Sequence, residues 1–280
     1  PPCRLTERCS RMTYFETTDG VPIYYTDRGE GEPILLIHGW TMNSTYWWQH
    51  NVDALVEAGY QVVAMDLRGH GKSGKTDAGH TLAQYGRDVR ELIDHLGLDG
   101  VTPVGWSMGT AVILNYVDQF GTDGLAKVVF VDQSPKFHTD DEWGHGLLGE
   151  FSGEAATELA TNLEYNRPSA AKPFVQAMFA DEIAGELVDE MYAETTKTPT
   201  GVTVDIFLDM TYSDLRPVVS EVDVPALLIY GEQSDIFPTD VGAWLEDAMP
   251  DATHVPFGDS GHCPFWEEAE RFNEEVARFV

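Results

Sequence analysis

Five short, mostly apolar runs limit what this chain can fold into. They are residues 33–37 (PILLI), 61–65 (QVVAM), 101–105 (VTPVG), 127–131 (KVVFV) and 226–230 (ALLIY). Each is too short for a helix and does not alternate between polar and apolar. Such runs suit strands buried on both faces, as in a parallel sheet. After the second run, Leu82, Tyr85, Val89, Leu92, Ile93 and Leu96 recur at three- and four-residue steps up to Gly97. That spacing predicts an amphipathic helix with a glycine stop. Strands alternating with helices imply an α/β class, a parallel sheet covered on both sides.

The ends extend this pattern. A segment around Tyr14 and Glu16 meets Val21–Thr26 across Thr18-Asp19-Gly20, a hairpin signal. Helical spacing near Trp244, a short strand at Thr253–Phe257 and a helix over Ala269–Val280 close the chain. Between about Ser134 and Ser220 no buried strand is visible. Leu147, Phe151, Leu159, Leu163, Phe174, Leu187 and Met191 recur at helical spacings, punctuated by prolines at 168, 173, 199 and 217. We read residues 12–133 and 221–280 as two parts of one sheet domain, and 134–220 as an insertion of several short helices. Residues 1–11 are polar and basic, with no apolar stretch. They read as a disordered or non-native extension upstream of a start at Met12.

Charge narrows the partners. Seventeen Lys and Arg against 47 Asp and Glu leave a net charge of −30 over 280 residues. Nucleic acid is excluded as a partner, because phosphate binding needs clustered basic side chains. Anionic membrane surfaces are disfavoured for the same reason, and no run approaches the ~18 apolar residues of a membrane span. Acidity with few lysines (6, against 11 arginines) suits a high-salt cytoplasm, where charge repulsion is screened, and equally an ordinary acidic protein. Three cysteines, Cys3, Cys9 and Cys263, are too few and odd in number for a disulfide framework. The cytoplasm is the default compartment.

Three loops carry chemistry. Gly105-Trp106-Ser107-Met108-Gly109 fits G-x-S-x-G, directly after a predicted strand and before a predicted helix. That context defines a nucleophile elbow, in which a sharp turn lifts the Ser107 hydroxyl above the strand end. His38-Gly39-Trp40 follows the 33–37 strand. A glycine turn there aims the Trp40 amide at the site, where it joins the Met108 amide as an oxyanion hole. Asp259-Ser260-Gly261-His262 follows the last strand, and His262 is the base that a serine nucleophile requires.

With these residues the chain resembles an α/β-hydrolase. The resemblance rests on His38-Gly39-Trp40, Asp66-Leu67-Arg68-Gly69-His70-Gly71-Lys72-Ser73, Gly105-Trp106-Ser107-Met108-Gly109 and Ser260-Gly261-His262. It is similar to the branch of esterases, non-haem haloperoxidases and C–C bond hydrolases. The resemblance implies an eight-stranded, mostly parallel sheet with a helical cap, a Ser–His–acid triad, and no cofactor or metal. Serine at the elbow, not aspartate, argues against haloalkane dehalogenases and epoxide hydrolases. Thr110 stands where many relatives carry a second glycine.

The triad acid stays open between two residues. The family commonly places aspartate three residues after the glycine that ends the seventh strand. In Gly231-Glu232-Gln233-Ser234-Asp235, Ser234 takes that place and Asp235 is one residue late. Some relatives carry the acid after the sixth strand, where Asp132 stands; Asp132 is favoured over Asp235.

Two look-alikes are set aside. Gly69-His70-Gly71-Lys72-Ser73 resembles the end of a phosphate-binding loop but lacks its first glycine. His138, Asp140, Asp141 and His145 match no standard metal spacing.

The expected activity is hydrolysis of small, neutral or apolar carboxylic esters. Trp106, Phe137, Trp143, Met178, Phe179, Phe207 and Met210 are candidates to line the pocket. The same triad would serve a lactonase, a C–C bond hydrolase or a perhydrolase. A different class, a ligand receptor on a hydrolase scaffold, predicts tight binding with weak turnover. Oligomeric state is not legible.

Overall fold

The computed structural model describes residues 13–280. Cys3, Cys9 and the expected start at Met12 lie outside the described residues. Eight strands form one sheet in the order β1-β2-β4-β3-β5-β6-β7-β8. They are β1 (Thr13–Glu16), β2 (Pro22–Arg28), β3 (Pro33–Ile37), β4 (Gln61–Met65), β5 (Thr102–Trp106), β6 (Val128–Val131), β7 (Ala226–Gly231) and β8 (Ala252–Phe257). β2 alone runs against the rest, pairing antiparallel with both β1 and β4. β4, β3, β5, β6, β7 and β8 are mutually parallel neighbours. β3, β5, β6 and β7 are almost wholly buried, which explains their unbroken apolar runs. β5 and β6 each begin one residue later than expected. Val101 instead forms an isolated bridge to Leu125.

The early helices α1 (Ser44–Trp47), α2 (Val52–Glu57), α3 (Leu82–Leu96) and α4 (Met108–Phe120) join β3 to β6. α3 follows its amphipathic pattern, capped by the Thr81 side chain and stopped by Gly97 at φ 62°. β4 lies on one side of β3 and β5 on the other. The chain therefore reverses its winding at the β3–β5 boundary. In open α/β sheets that point opens a crevice at the carboxyl ends of the strands.

Between β6 and β7 lie α5 (Gly153–Ala177), α6 (Gly185–Thr195), α7 (Thr200–Tyr212) and α8 (Arg216–Val219). The expectation of several short helices is only partly met, because α5 runs for 25 residues. It is kinked at Asn166 (φ −153°, ψ 58°), two residues before Pro168. Proline lacks the N–H of the helical ladder and crowds the preceding turn, so the break falls just upstream. After β7 follow α9 (Val241–Ala248), α10 (Pro264–Glu267) and α11 (Ala269–Phe279). Among the described residues no helix is long and apolar enough to cross a membrane.

Candidate active site

Ser107 sits between β5 and α4 with φ 52° and ψ −120°. A non-glycine residue at positive φ is strained, and such strain survives only where neighbours enforce it. Here they do. A Cβ on Gly105 would stand 2.5 Å from the Gly109 carbonyl carbon, and one on Gly109 would strike the Ile37 carbonyl oxygen. Only glycine lets the helix start close enough to the strand. The Ser107 amide donates to the Val131 carbonyl at 2.9 Å, tying the turn to β6. Thr110 does what a second glycine could not: its hydroxyl donates to the Gly105 carbonyl at 2.6 Å.

The loop after β3 abuts this turn. A Cβ on Gly39 would lie 3.4 Å from Ser107 Cβ and 3.2 Å from the Trp106 ring. Neither the Trp40 nor the Met108 amide donates a hydrogen bond among the described residues. Met108 opens α4, whose N-terminal amides carry partial positive charge. Two unspent amides therefore lie on the segments that meet at Ser107. The His38 ring supports the loop from below. It contacts the Gly39 carbonyl through Nδ1 at 2.8 Å and accepts from the Leu67 amide through Nε2 at 3.0 Å. Burial pushes its pKa down, so it is held neutral.

His262, on the loop after β8, is buried. Its amide donates to the Met178 carbonyl and its carbonyl accepts from Trp106 Nε1, both at 2.8 Å. The ring packs against Trp106, next to Ser107, with centroids 5.5 Å apart. Its Nδ1 lies 2.7 Å from Asp132 Oδ1. Asp132 ends β6 in the left-handed region, φ 43°. Ser234 Oγ donates to its Oδ1 at 2.9 Å and the Gly231 amide to its Oδ2 at 3.0 Å. Asp235 is exposed, and the structure does not bring it to the ring. With Nδ1 engaged by Asp132, Nε2 is left to face chemistry. Next to His262, Cys263 is buried and its thiol pKa is pushed up by that burial, so it is no competing nucleophile.

At the hydroxyl is a tight apolar cavity of about 20 Å³, lined by Trp40, Ser107, Phe137, Leu147, Leu159, Phe174, Phe207, Met210, Ile236 and Phe237. Of the expected lining residues, Phe137, Phe207 and Met210 are there. Four are not, for identifiable reasons. The Trp106 ring is packed among Trp47, Phe265 and His262. Trp143 turns away to pack edge-to-face against Trp244 and donates to the Lys136 carbonyl. Met178 and Phe179 are core residues, and Met178 contributes its backbone carbonyl to the His262 loop. Leu147, Leu159, Phe174, Ile236 and Phe237 were not singled out as pocket residues. Their apolar periodicity reads the same for core and pocket.

The two look-alikes have other work. In the 66–73 loop, Asp66 accepts from the Ser44 amide, the Ser44 hydroxyl and the Lys72 amide, each at 2.7 Å. Arg68 is buried against Asp88 and Asp19. Several of that loop's donors are thus spent on these carboxylates and not left for a phosphate. His138, Asp140 and His145 engage Tyr212, Lys136 and Asp240 respectively.

The profile of the alpha/beta hydrolase fold matches residues 32–269. The chain belongs to the α/β-hydrolase family. Relatives of this α/β-hydrolase include the bifunctional esterase/perhydrolase DCH of Acinetobacter calcoaceticus, 26% identical, covering 96% of this chain and 99% of that protein. Another is the non-heme chloroperoxidase CPO-A1 of Kitasatospora aureofaciens, 28% identical over 96% of this chain and 99% of that one. Among solved structures, an esterase from Exiguobacterium antarcticum superposes with a TM-score of 0.90 at 26% identity, covering 96% and 98% of the two chains. The branch suggested by the motifs and the mostly parallel eight-stranded sheet are thus both found. This α/β-hydrolase is an enzyme of the esterase-like branch.

Proposed function

We propose that this α/β-hydrolase cleaves small carboxylic esters through an acyl-enzyme on Ser107. His262 Nε2 takes the Ser107 proton as Oγ attacks the ester carbonyl, and a tetrahedral oxyanion forms. The Trp40 and Met108 amides receive that oxyanion. One such donor is worth about 3 kcal/mol in the transition state. The oxyanion collapses, the C–O bond to the alcohol breaks, and His262 returns the proton to the departing oxygen. Water then repeats the sequence on the acyl-enzyme and releases the acid. Asp132 fixes the ring tautomer and balances the imidazolium. Residues 134–220 act as a cap whose apolar side chains close the pocket, which suits a neutral or apolar substrate.

The observation that carries this reading is the 2.7 Å contact between Asp132 Oδ1 and His262 Nδ1, on loops that flank a strained Ser107. Replacing Ser107 by Ala is the test. Turnover of p-nitrophenyl acetate should fall by about three to six orders of magnitude while the circular dichroism spectrum is retained. A folded Ser107→Ala protein with undiminished turnover would overturn the mechanism.

Perhydrolysis is a second reading, supported by the name of the Acinetobacter relative. In it hydrogen peroxide replaces water at the acyl-enzyme, and a peroxyacid leaves. Peroxyacid formation from an ester and peroxide, measured beside simple hydrolysis, separates the two.

A further inference from the structure

Residues 178–180, which lead out of α5, lie backbone to backbone against the His262 loop. The His262 amide donates to the Met178 carbonyl at 2.8 Å. A Cβ on Gly261 would stand 2.8 Å from the Ala180 nitrogen and 3.0 Å from the Met178 oxygen, so a side chain there would force the two segments apart. One side chain closes the contact. Glu267, at the end of α10, accepts from the Ala180 amide through Oε1 at 2.7 Å and from the Gly261 amide through Oε2 at 2.9 Å. Its two oxygens thus hold the inserted segment and the His262 loop together.

That arrangement demands a carboxylate. Two amide N–H groups meet on one side chain, and both need acceptors. Glutamate supplies two oxygens and no donor, whereas glutamine would turn its NH2 against one of the amides. Burial raises the Glu267 pKa, and the amides that donate to it pull the other way. Glu268 does different work. Its side chain accepts from the Asp259 amide at 3.2 Å and the Ser260 hydroxyl at 2.7 Å, and it pairs with Arg271, all within one stretch of chain.

His262 therefore has three supports of separate origin. Asp132 holds its ring, Trp106 its carbonyl and Met178 its amide. The last depends on where the inserted segment sits. Phe174, a wall of the cavity at Ser107, stands about one helical turn before Met178, so a displacement of that wall reaches the histidine loop.

We propose that Glu267 is a positioning residue for His262, through which the seating of residues 134–220 sets the base for Ser107. This rests on the reading of His262 as the base. The grip passes through two backbone amides, so its effect falls on the placement of the imidazole and not on the binding of substrate.

Two rates read the base. One is kcat for p-nitrophenyl acetate. The other is the rate at which diisopropyl fluorophosphate labels Ser107, which needs the base but no ester. Both are taken per folded molecule, well below the urea transition, where a loss of stability alone leaves them unchanged. Glu267→Gln should lower both by about ten- to a hundredfold, with KM within about threefold of wild type. Rates within about twofold of wild type overturn the proposal. Ala180→Pro removes only the donor on the inserted segment. It should slow both rates too, and the double variant should be no slower than the slower single one. Losses that multiply overturn the coupling to the inserted segment. If Ala180→Pro does not fold, amide exchange in Glu267→Gln replaces it. Protection should fall together in 178–180 and 261–263, and a fall in 261–263 alone overturns the coupling. A wild-type protein that is labelled at Ser107 but hydrolyses no ester sinks the ester reading, and the labelling rates still decide on Glu267.

Discussion

Asp132 and Asp235 show what a single residue can decide. Both are aspartates just beyond strand ends, and both were open as partners for His262. Asp132 reaches the ring because its backbone takes φ 43°, which turns the carboxylate across the ends of β6 and β7. There it accepts three hydrogen bonds, from His262, Ser234 and the Gly231 amide. Ser234, at the position common for the acid, becomes a donor to the acid instead. Asp132→Asn should lower kcat by about 10³- to 10⁴-fold, because an amide can hold the wrong imidazole tautomer. Asp235→Asn, at an exposed site, should stay within about twofold of wild type. Parallel kcat measurements on one ester check both, and comparable losses in the two variants would remove Asp132 from its proposed role.

At the scale of elements, the turn from β5 into α4 is the most tightly determined piece of the molecule. Strand propensity, helix start and the two glycines agree, which is why the strand–turn–helix context could be read from sequence. Its tolerance is correspondingly small. The Gly109 position faces the Ile37 carbonyl of β3 with no space for a methyl group, and backbone cannot move aside as a flexible side chain can. Gly109→Ala should therefore destabilise by about 2–4 kcal/mol, seen as a lower midpoint in urea, and should also depress esterase activity by displacing Met108. The 134–220 segment is determined far more loosely. Its helices were legible as helices, but which of their apolar side chains face the pocket was not. A helix wedged between sheet and solvent-facing layers carries the same periodicity on either apolar face.

For the whole molecule, charge and buried histidines predict how stability responds to solution conditions. His38 and His70 are buried, and burial depresses both pKa values, that of His70 strongly. The unfolded chain binds a proton on each near the ordinary value of about 6.5, which the folded state refuses. The unfolded state thus holds more protons below that pH. Stability is full above about pH 6.5 and falls as pH drops, by up to about 1.4 kcal/mol per pH unit for each histidine. Asp19 acts in the same direction, but at lower pH. The Arg68 hydrogen bond lowers its pKa to about 2, so its contribution is present above the ordinary carboxylate range and is lost only as pH falls through it. Above the Asp19 range the histidine effect, to which His254 adds, is opposed only by the carboxylates that burial raises, Asp88, Asp209 and Glu267, among the groups with shifted values. Denaturant midpoints between about pH 6.5 and 4.5 should decline, and His70→Gln should flatten the slope by about one proton. A second solution variable is salt. A net charge of −30 repels itself within the folded volume, and the Debye length shrinks from about 30 Å at 0.01 M to about 3 Å at 1 M. Tm should rise by several degrees between those conditions, and a flat or falling Tm would show that the acidic surface costs the fold little.

Some properties of this protein are local in the chain and needed only the sequence. Buried parallel strands announce themselves by unbroken apolar runs, and a sharp strand-to-helix turn needs glycines at fixed offsets from Ser107, because those demands are met within a few residues. Other properties are contacts between loops more than a hundred residues apart, such as His262 with Asp132. The choice of carboxylate and the withdrawal of Trp106 and Trp143 from the pocket depend on where strand ends converge. Local propensity carries no term for that convergence, and only packing of the whole sheet and its inserted helices decided it.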